Sequence, residues 1–161
     1  MQKILFIDQA PARPTSKHEV PGTYLYKWLY SIGFDDGAIS EFCHFYALTD
    51  AFPGQASHGH LAPTPEQIAA YRPTLKAVTA ALQPDIVVPV SKMAICEILQ
   101  KKDIKLTEIV GKRYLINPLG ALEHTVPCLP LPHPSGRSVW NNTHKERVAN
   151  ALALLKNEFK K

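Results

Sequence analysis

The chain has 161 residues, of which 45 % are hydrophobic and 20 % charged; that is one domain's length with enough apolar content for a packed core, and it excludes a disordered or repetitive protein. Eighteen Lys and Arg against fourteen Asp and Glu give a net charge of +4, an excess that suits a polyanionic partner without requiring one. The three cysteines, Cys43, Cys96 and Cys128, form no CxxC pair, which argues against a paired-cysteine zinc, iron-sulfur or dithiol site and fits buried thiols in a reducing cytoplasm.

The first apolar run, Ile4 to Ile7, is too short for a signal peptide or a membrane span, so the protein is expected to be cytoplasmic. Lys3 to Ile7 reads instead as a buried strand, bounded by charge and by a stiff loop, Gln9 to Gly22, that carries Pro11, Pro14 and Pro21. Thr23 is expected to cap a helix that buries Tyr24, Leu25, Trp28, Leu29 and Ile32 and stops at Gly33. Phe42 to Leu48 reads as a second strand, and Pro53 to Pro63 as a loop.

Thr64, Pro65 and Gln67 form a helix start with cap, N1 proline and reciprocal N3 side chain. The apolar spacing of Ile68, Tyr71, Leu75, Val78 and Leu82 continues that helix, which Pro73 is expected to kink or split. Asp85 to Val90 is an Ile and Val run typical of a central parallel strand, after which Ser91 caps a helix carrying Met93, Ala94, Ile98 and Leu99. Val126 to Leu131 gives a last strand, His133 to Trp140 a loop, and Thr143 to Phe159 an amphipathic helix with Val148, Leu152 and Leu155 inward. Strand and helix alternate, so the expected fold is a single-domain α/β/α sandwich over residues 1–161 with a mainly parallel four-stranded sheet.

In such a sheet the ligand crevice lies at the carboxyl ends of the strands. Two loops occupy that edge, Asp8 to Pro14 and His133 to Asn142. In the second, Pro132 and Pro134 stiffen the backbone around His133, and Gly136 permits a close approach to a partner. An imidazole so held can donate to an oxygen that gains negative charge, and Ser135, its neighbouring N–H groups and Arg137 suit a phosphate. The same residues also fit a surface turn whose histidine only bonds a carbonyl.

The segment LPHPSGRSVW resembles the HPS motif of the uracil-DNA glycosylase superfamily, and IDQAPA resembles its first motif, written GEAPG, GLAPA or GQDPY in different branches. GTYLYKWLYSIGF and PTPEQIAAYRPTLKAVTAALQPDIVVPVSKMA resemble the parts between, so the likeness covers nearly the full length. It implies an α/β/α fold, a DNA partner, no metal or other cofactor, and cleavage of the N-glycosidic bond of uracil or a related damaged base in base excision repair. A target base must leave the stack before that bond can be reached. By resemblance His133 stabilises the departing base and Ser135 grips phosphate, while Gly136, Arg137 and Ser138 lie on the loop that probes the duplex, with Arg137 filling the vacated space. Ala10, Pro11, Ala47 and an aromatic ring at His18, next to Lys17, would line the base pocket. Arg13, near Pro11, fits either a phosphate contact or a solvated loop side chain.

The sequence departs from the family pattern where the water-activating carboxylate stands. Gln9 replaces the glutamate of one branch and Ala10 the aspartate of another. Glutamine orients a water but does not accept its proton, a contribution of roughly 10² to 10⁴ in rate. Asp8, in place of the motif glycine, is either a displaced base or the cap that holds the loop, the cap being the preferred reading. No asparagine stands near Ala47 to read uracil, and the four cluster-binding cysteines of one branch are missing.

His58 and His60 lack companion metal ligands and read as loop residues. Trp140, with Asn141 and Asn142 after it, fits a surface that stacks on or contacts DNA; Trp140 equally fits a core anchor, and Asn142 a helix cap. Asp103 to Lys112 offers no site. The expected activity is that of a monomeric DNA glycosylase. The alternatives are a DNA- or lesion-binding module that has lost catalysis, and a flavodoxin-like enzyme acting on a free nucleotide.

Overall fold

The computed structural model of the protein describes residues 2–10, 23–50, 55–56, 59–60, 62–135 and 138–160. Its strands are β1 (Ile4–Asp8), β2 (Cys43–Ala47), β3 (Gln55–Ala56), β4 (Gly59–His60), β5 (Ile86–Val90), β6 (Tyr114–Ile116) and β7 (Val126–Cys128). Its helices are α1 (Thr23–Ser31), α2 (Asp36–Phe42), α3 (Pro65–Leu82), α4 (Lys92–Leu99), α5 (Leu106–Ile109), α6 (Val139–Thr143) and α7 (Lys145–Phe159).

Five strands form the main sheet in the order β2-β1-β5-β7-β6, and every pairing is parallel except β6 with β7. The α/β/α sandwich expected from the alternation of elements is thus present, with β6 as a fifth strand beyond the four legible in sequence. Three residues are too few to show a period.

The alternation of side chains along the strands divides the core between the two faces. Ile4, Phe6, Ile86, Val88 and Val90 pack with Leu25 and Leu29 of α1, Ile39 of α2 and Val148, Leu152 and Leu155 of α7. Leu5, Ile7, Val87 and Cys128 point the other way, onto Leu75 of α3 and Ala94 and Ile98 of α4. Because β1 and β5 are apolar on both sides, they can only be central strands.

Local chemistry sets the helix ends. In α1, Gly33 donates to the Tyr30 carbonyl and Phe34 to that of Leu29, a paired C-terminal closure that requires the left-handed backbone Gly33 adopts at φ 101°. At the start of α3 the expected capping box is present: Thr64 Oγ1 accepts from Gln67 N at 3.2 Å, and Gln67 Oε1 accepts from Thr64 N at 2.8 Å.

Several expectations are corrected. Pro73 does not split α3, which runs on to Leu82; Pro73 and Ala69, whose carbonyl loses its helical donor, both face solvent, where water can serve that carbonyl. The helix α2, capped by Asp35 through the Ala38 N–H at 2.8 Å, precedes β2, so the strand starts at Cys43 rather than Phe42. Helix α1 begins at Thr23 itself. The loop after Pro53 contains the antiparallel pair β3 and β4. The closing helix α7 starts at Lys145 rather than Thr143, and the short helix α6 forms before it from the end of the expected loop; the two meet at His144, where φ −123° and ψ 41° leave the helical range.

Candidate active site

Asp8 to Ala10, at the start of the first loop, and His133 to Ser135, at the start of the last, come together because the strands that feed them flank the same neighbour. Asp8 is in register with Val90 of β5 on one side and with Ala47 of β2 on the other. Beyond β7 the chain continues along β5: Leu131 bridges Val90, and Ser91 donates to the Leu131 carbonyl at 3.0 Å. The residues after β1, after β5 and after Leu131 therefore emerge side by side at the carboxyl edge of the sheet.

There Oδ1 of Asp8 accepts the Gln9 N–H at 2.7 Å and lies 3.9 Å from Nδ1 of His133. The Asp8 side chain is 22 % exposed and that of His133 57 %, so the ring faces the opening and the carboxylate sits below it. Burial pushes the Asp8 carboxyl above its ordinary value; the His133 ring and the Gln9 N–H offset this only in part.

The His133 turn is braced from behind. Asn141, buried in α6, donates through Nδ2 to the carbonyls of His133 at 2.9 Å and Ser135 at 3.4 Å. Ser138 caps α6 by accepting the Asn141 N–H at 3.1 Å, and its own N–H reaches the Ser135 carbonyl at 3.4 Å. The two accepting carbonyls fix which way the Asn141 amide points. Its Oδ1 is left buried without a partner among the described residues.

A cleft of about 460 Å³ opens beside this turn, with Gln9 on one wall and His133 and Ser138 on another. Lys92, Met93 and Cys96 of α4 and Leu106 of α5 close its far side, and Trp140 of α6 lies at its edge. The Trp140 ring is half-buried and stacked on His144 at 4.3 Å. Ser91, buried in the same cleft, joins β5 to α4 at φ 118° and ψ 155°, a conformation that glycine adopts freely and serine does not.

Of the residues anticipated from sequence, the structure brings Asp8, Gln9, His133 and Ser138 to this edge, with Ser135 part-buried on the same turn and Ala10 part-buried after Gln9. Ala47 is buried beside Asp8 in the sheet. Pro11, Arg13, Lys17, His18, His58, Gly136 and Arg137 lie outside the described residues. Asn142 sits inside α6 rather than capping a helix; the buried amide is that of its neighbour Asn141. Cys43 and Cys128 are buried, their thiols pushed up to about 12, but Cys96 is only half-buried and faces the cleft, contrary to the expectation of three buried thiols.

The sequence reading gave no site role to Lys92, Cys96 or Leu106, and took Asn141 for a DNA contact beside Trp140 rather than the brace of the His133 turn. Leu106 lies in the stretch that seemed to offer no site. The only signal for Asn141 was its place three residues after a capping serine. Among the described residues no group of three or more His, Cys, Asp or Glu side chains could hold a metal ion, and no helix is long and apolar enough to cross a membrane.

Fold and cleft define an α/β/α protein whose ligand crevice lies at the carboxyl edge of a mostly parallel sheet, between its first and last loops. A family model described as the uracil DNA glycosylase superfamily matches residues 1–156, and the chain belongs to that superfamily. No curated protein matches it in sequence.

Proposed function

We propose that the protein hydrolyses the N-glycosidic bond of uracil or another deaminated base in DNA. The observation that carries this reading is the convergence of the two loops: Gln9 and His133 share one cleft, and Asp8 approaches the His133 ring to 3.9 Å. A nucleotide turned out of the stack would enter with its base toward Asp8, Ala10 and Ala47 and its phosphates toward Ser135.

Breaking the bond leaves positive charge on the sugar and negative charge on the base. His133, braced through its carbonyl and exposed at the ring, donates an N–H to the base oxygen that gains charge. Asp8 is the only carboxylate within 4 Å of His133 among the described residues. Its Oδ1 takes the Gln9 N–H, and its Oδ2 carries no hydrogen bond among the described residues. This oxygen orients the attacking water and opposes the positive sugar, while the Gln9 amide holds the same water without accepting its proton. Asp8 thus serves as cap and as carboxylate together, standing in for the one that the motif lacks at Gln9.

The missing motif carboxylate also favours a second reading, a protein that grips damaged DNA without cutting it. One assay separates them. Purified protein is incubated with oligonucleotides carrying uracil opposite G or A, hypoxanthine or xanthine, and abasic product and binding are both measured. Abasic product that is lost in a His133→Ala protein is the expected result. Salt-dependent binding with no product on any substrate would establish the binding module, and absence of both would return the chain to the free-nucleotide enzyme.

A further inference from the structure

We propose that the part of the cleft beyond His133, walled by Met93, Cys96 and Leu106 with Trp140 at its edge, is a second nucleotide subsite that seats the base of a residue adjoining the one cleaved. The inference rests on the reading of the chain as a protein acting on DNA, and it adds a contact that this reading does not require.

The cavity is too large and too mixed in character to be a packing fault. At about 460 Å³ it falls within the roughly 300–1,000 Å³ of sites that hold small molecules. Its chemistry is mixed. Met93, Cys96 and Leu106 make the α4 and α5 side mainly apolar, and two of them carry polarizable sulfur, which favours the face or edge of a flat ring. Trp140, whose ring already stacks on His144 and packs against the core, adds aromatic surface to the lining. Gln9 and Ser138, in the same lining, offer amide and hydroxyl groups.

Lys92 supplies the positive end. Its side chain is 55 % exposed and meets Asp103 at 3.3 Å, yet Asp103 is 87 % exposed, and a pair this open to solvent holds weakly enough for a phosphate to replace the carboxylate. No carboxylate lines the cleft among the described residues. Apolar side chains, polar side chains and an exposed cation gathered on one cleft match the base, sugar and phosphate of a nucleotide. His133 and Gln9 belong to this cavity as well as to the convergence with Asp8, so a nucleotide seated here is joined to the one presented to His133.

Cys96 makes the occupancy measurable without catalysis. Cys43 and Cys128 are 6 % and 0 % exposed, so a thiol alkylating reagent added to the folded protein reads Cys96. Burial raises that thiol above its ordinary value, which calls for mildly alkaline buffer. The labelling rate is measured alone, with a uracil-free single-stranded oligonucleotide and with inorganic polyphosphate, while fluorescence anisotropy follows strand binding.

The expected result is that the oligonucleotide slows alkylation roughly tenfold when present at about ten times its Kd, and that polyphosphate leaves the rate unchanged. An oligonucleotide that binds while Cys96 reacts at its free rate would overturn the subsite and leave the glycosylase reading intact. Equal protection by polyphosphate would reduce the site to an anion contact at Lys92 and overturn it too. Failure of the strand to bind would overturn the subsite, while the glycosylase reading would still be decided by the excision assay.

Discussion

Oδ1 of Asp8 and Nδ1 of His133 stand 3.9 Å apart, although one residue closes the first strand and the other opens the last loop. Their approach is a consequence of strand order. The strand β5 lies between β1 and the chain that follows β7, and Val90 at its end is in register with both Asp8 and Leu131. The carboxylate meets the imidazole at the one edge where β1, β5 and the last strand all finish.

The two partners are expected to contribute unequally to catalysis. His133→Ala removes the donor to the departing base and should abolish detectable excision. Asp8→Asn keeps an oxygen for the Gln9 N–H but removes the charge, and should slow single-turnover base release by roughly 10²-fold. Equal and complete losses would assign Asp8 the role of proton acceptor outright, whereas an Asp8→Asn protein as fast as the wild type would remove it from the chemistry.

The same substitution should change how stability depends on pH. Burial raises the Asp8 carboxyl above its ordinary value, so between the unfolded and folded values the native state binds more protons than the unfolded chain. Stability from this group is therefore lost as pH rises through that window and regained as pH falls below it. The Asp8→Asn protein lacks this term. Chemical denaturation across the acidic to neutral range should show wild type losing ground to Asp8→Asn as pH rises, and parallel curves would contradict the assignment of a raised value.

Ser91 lies at φ 118° and ψ 155°, and such strain costs of order 1–3 kcal/mol. Its Oγ accepts the Ala94 N–H at a long 3.3 Å, and replacing a serine cap by glycine costs only a few tenths of a kcal/mol. Ser91→Gly should accordingly stabilise the protein by about 1 kcal/mol in urea unfolding, and Ser91→Val should destabilise it. A glycine variant less stable than wild type would show that the cap outweighs the strain.

Asn141 links the His133 turn to α6. Asn141→Ala leaves two carbonyls without their shared donor, a loss of roughly 1–3 kcal/mol, and lets the imidazole wander. Asn141→Asp should be worse, because it sets a carboxylate oxygen against the carbonyls of His133 and Ser135 in a buried place. Thermal unfolding and excision rate measured on both variants test the order; an aspartate variant as stable as the alanine one would mean that the amide is not the brace.

Much of the site could be read before any coordinates. Pro132, His133 and Pro134 mark a stiff imidazole turn because proline fixes its own backbone and restrains the residue before it, and the IDQAPA segment stands out for the same reason. What escaped is what depends on neighbours distant in the chain. Leu106 and Cys96 carry no local signature of a binding wall, and Asn141 and Asn142 are indistinguishable until the helix phase decides which one points inward. The edge strand β6 and the short α2, which contains Gly37, were missed because three to seven residues are too few for a period to emerge.

The amino-acid sequence by itself determined the class of fold: apolar runs in β1 and β5 demand burial on both faces, and amphipathic helices between strands supply the cover. It also determined which residue types stand at the carboxyl edge. Only the tertiary structure decided that Asp8 faces His133, that Ser91 is strained and that α4, α5 and α6 enclose a cleft. Those facts depend on strand order and helix phase, which arise from the packing of the whole chain and leave no trace in any single segment.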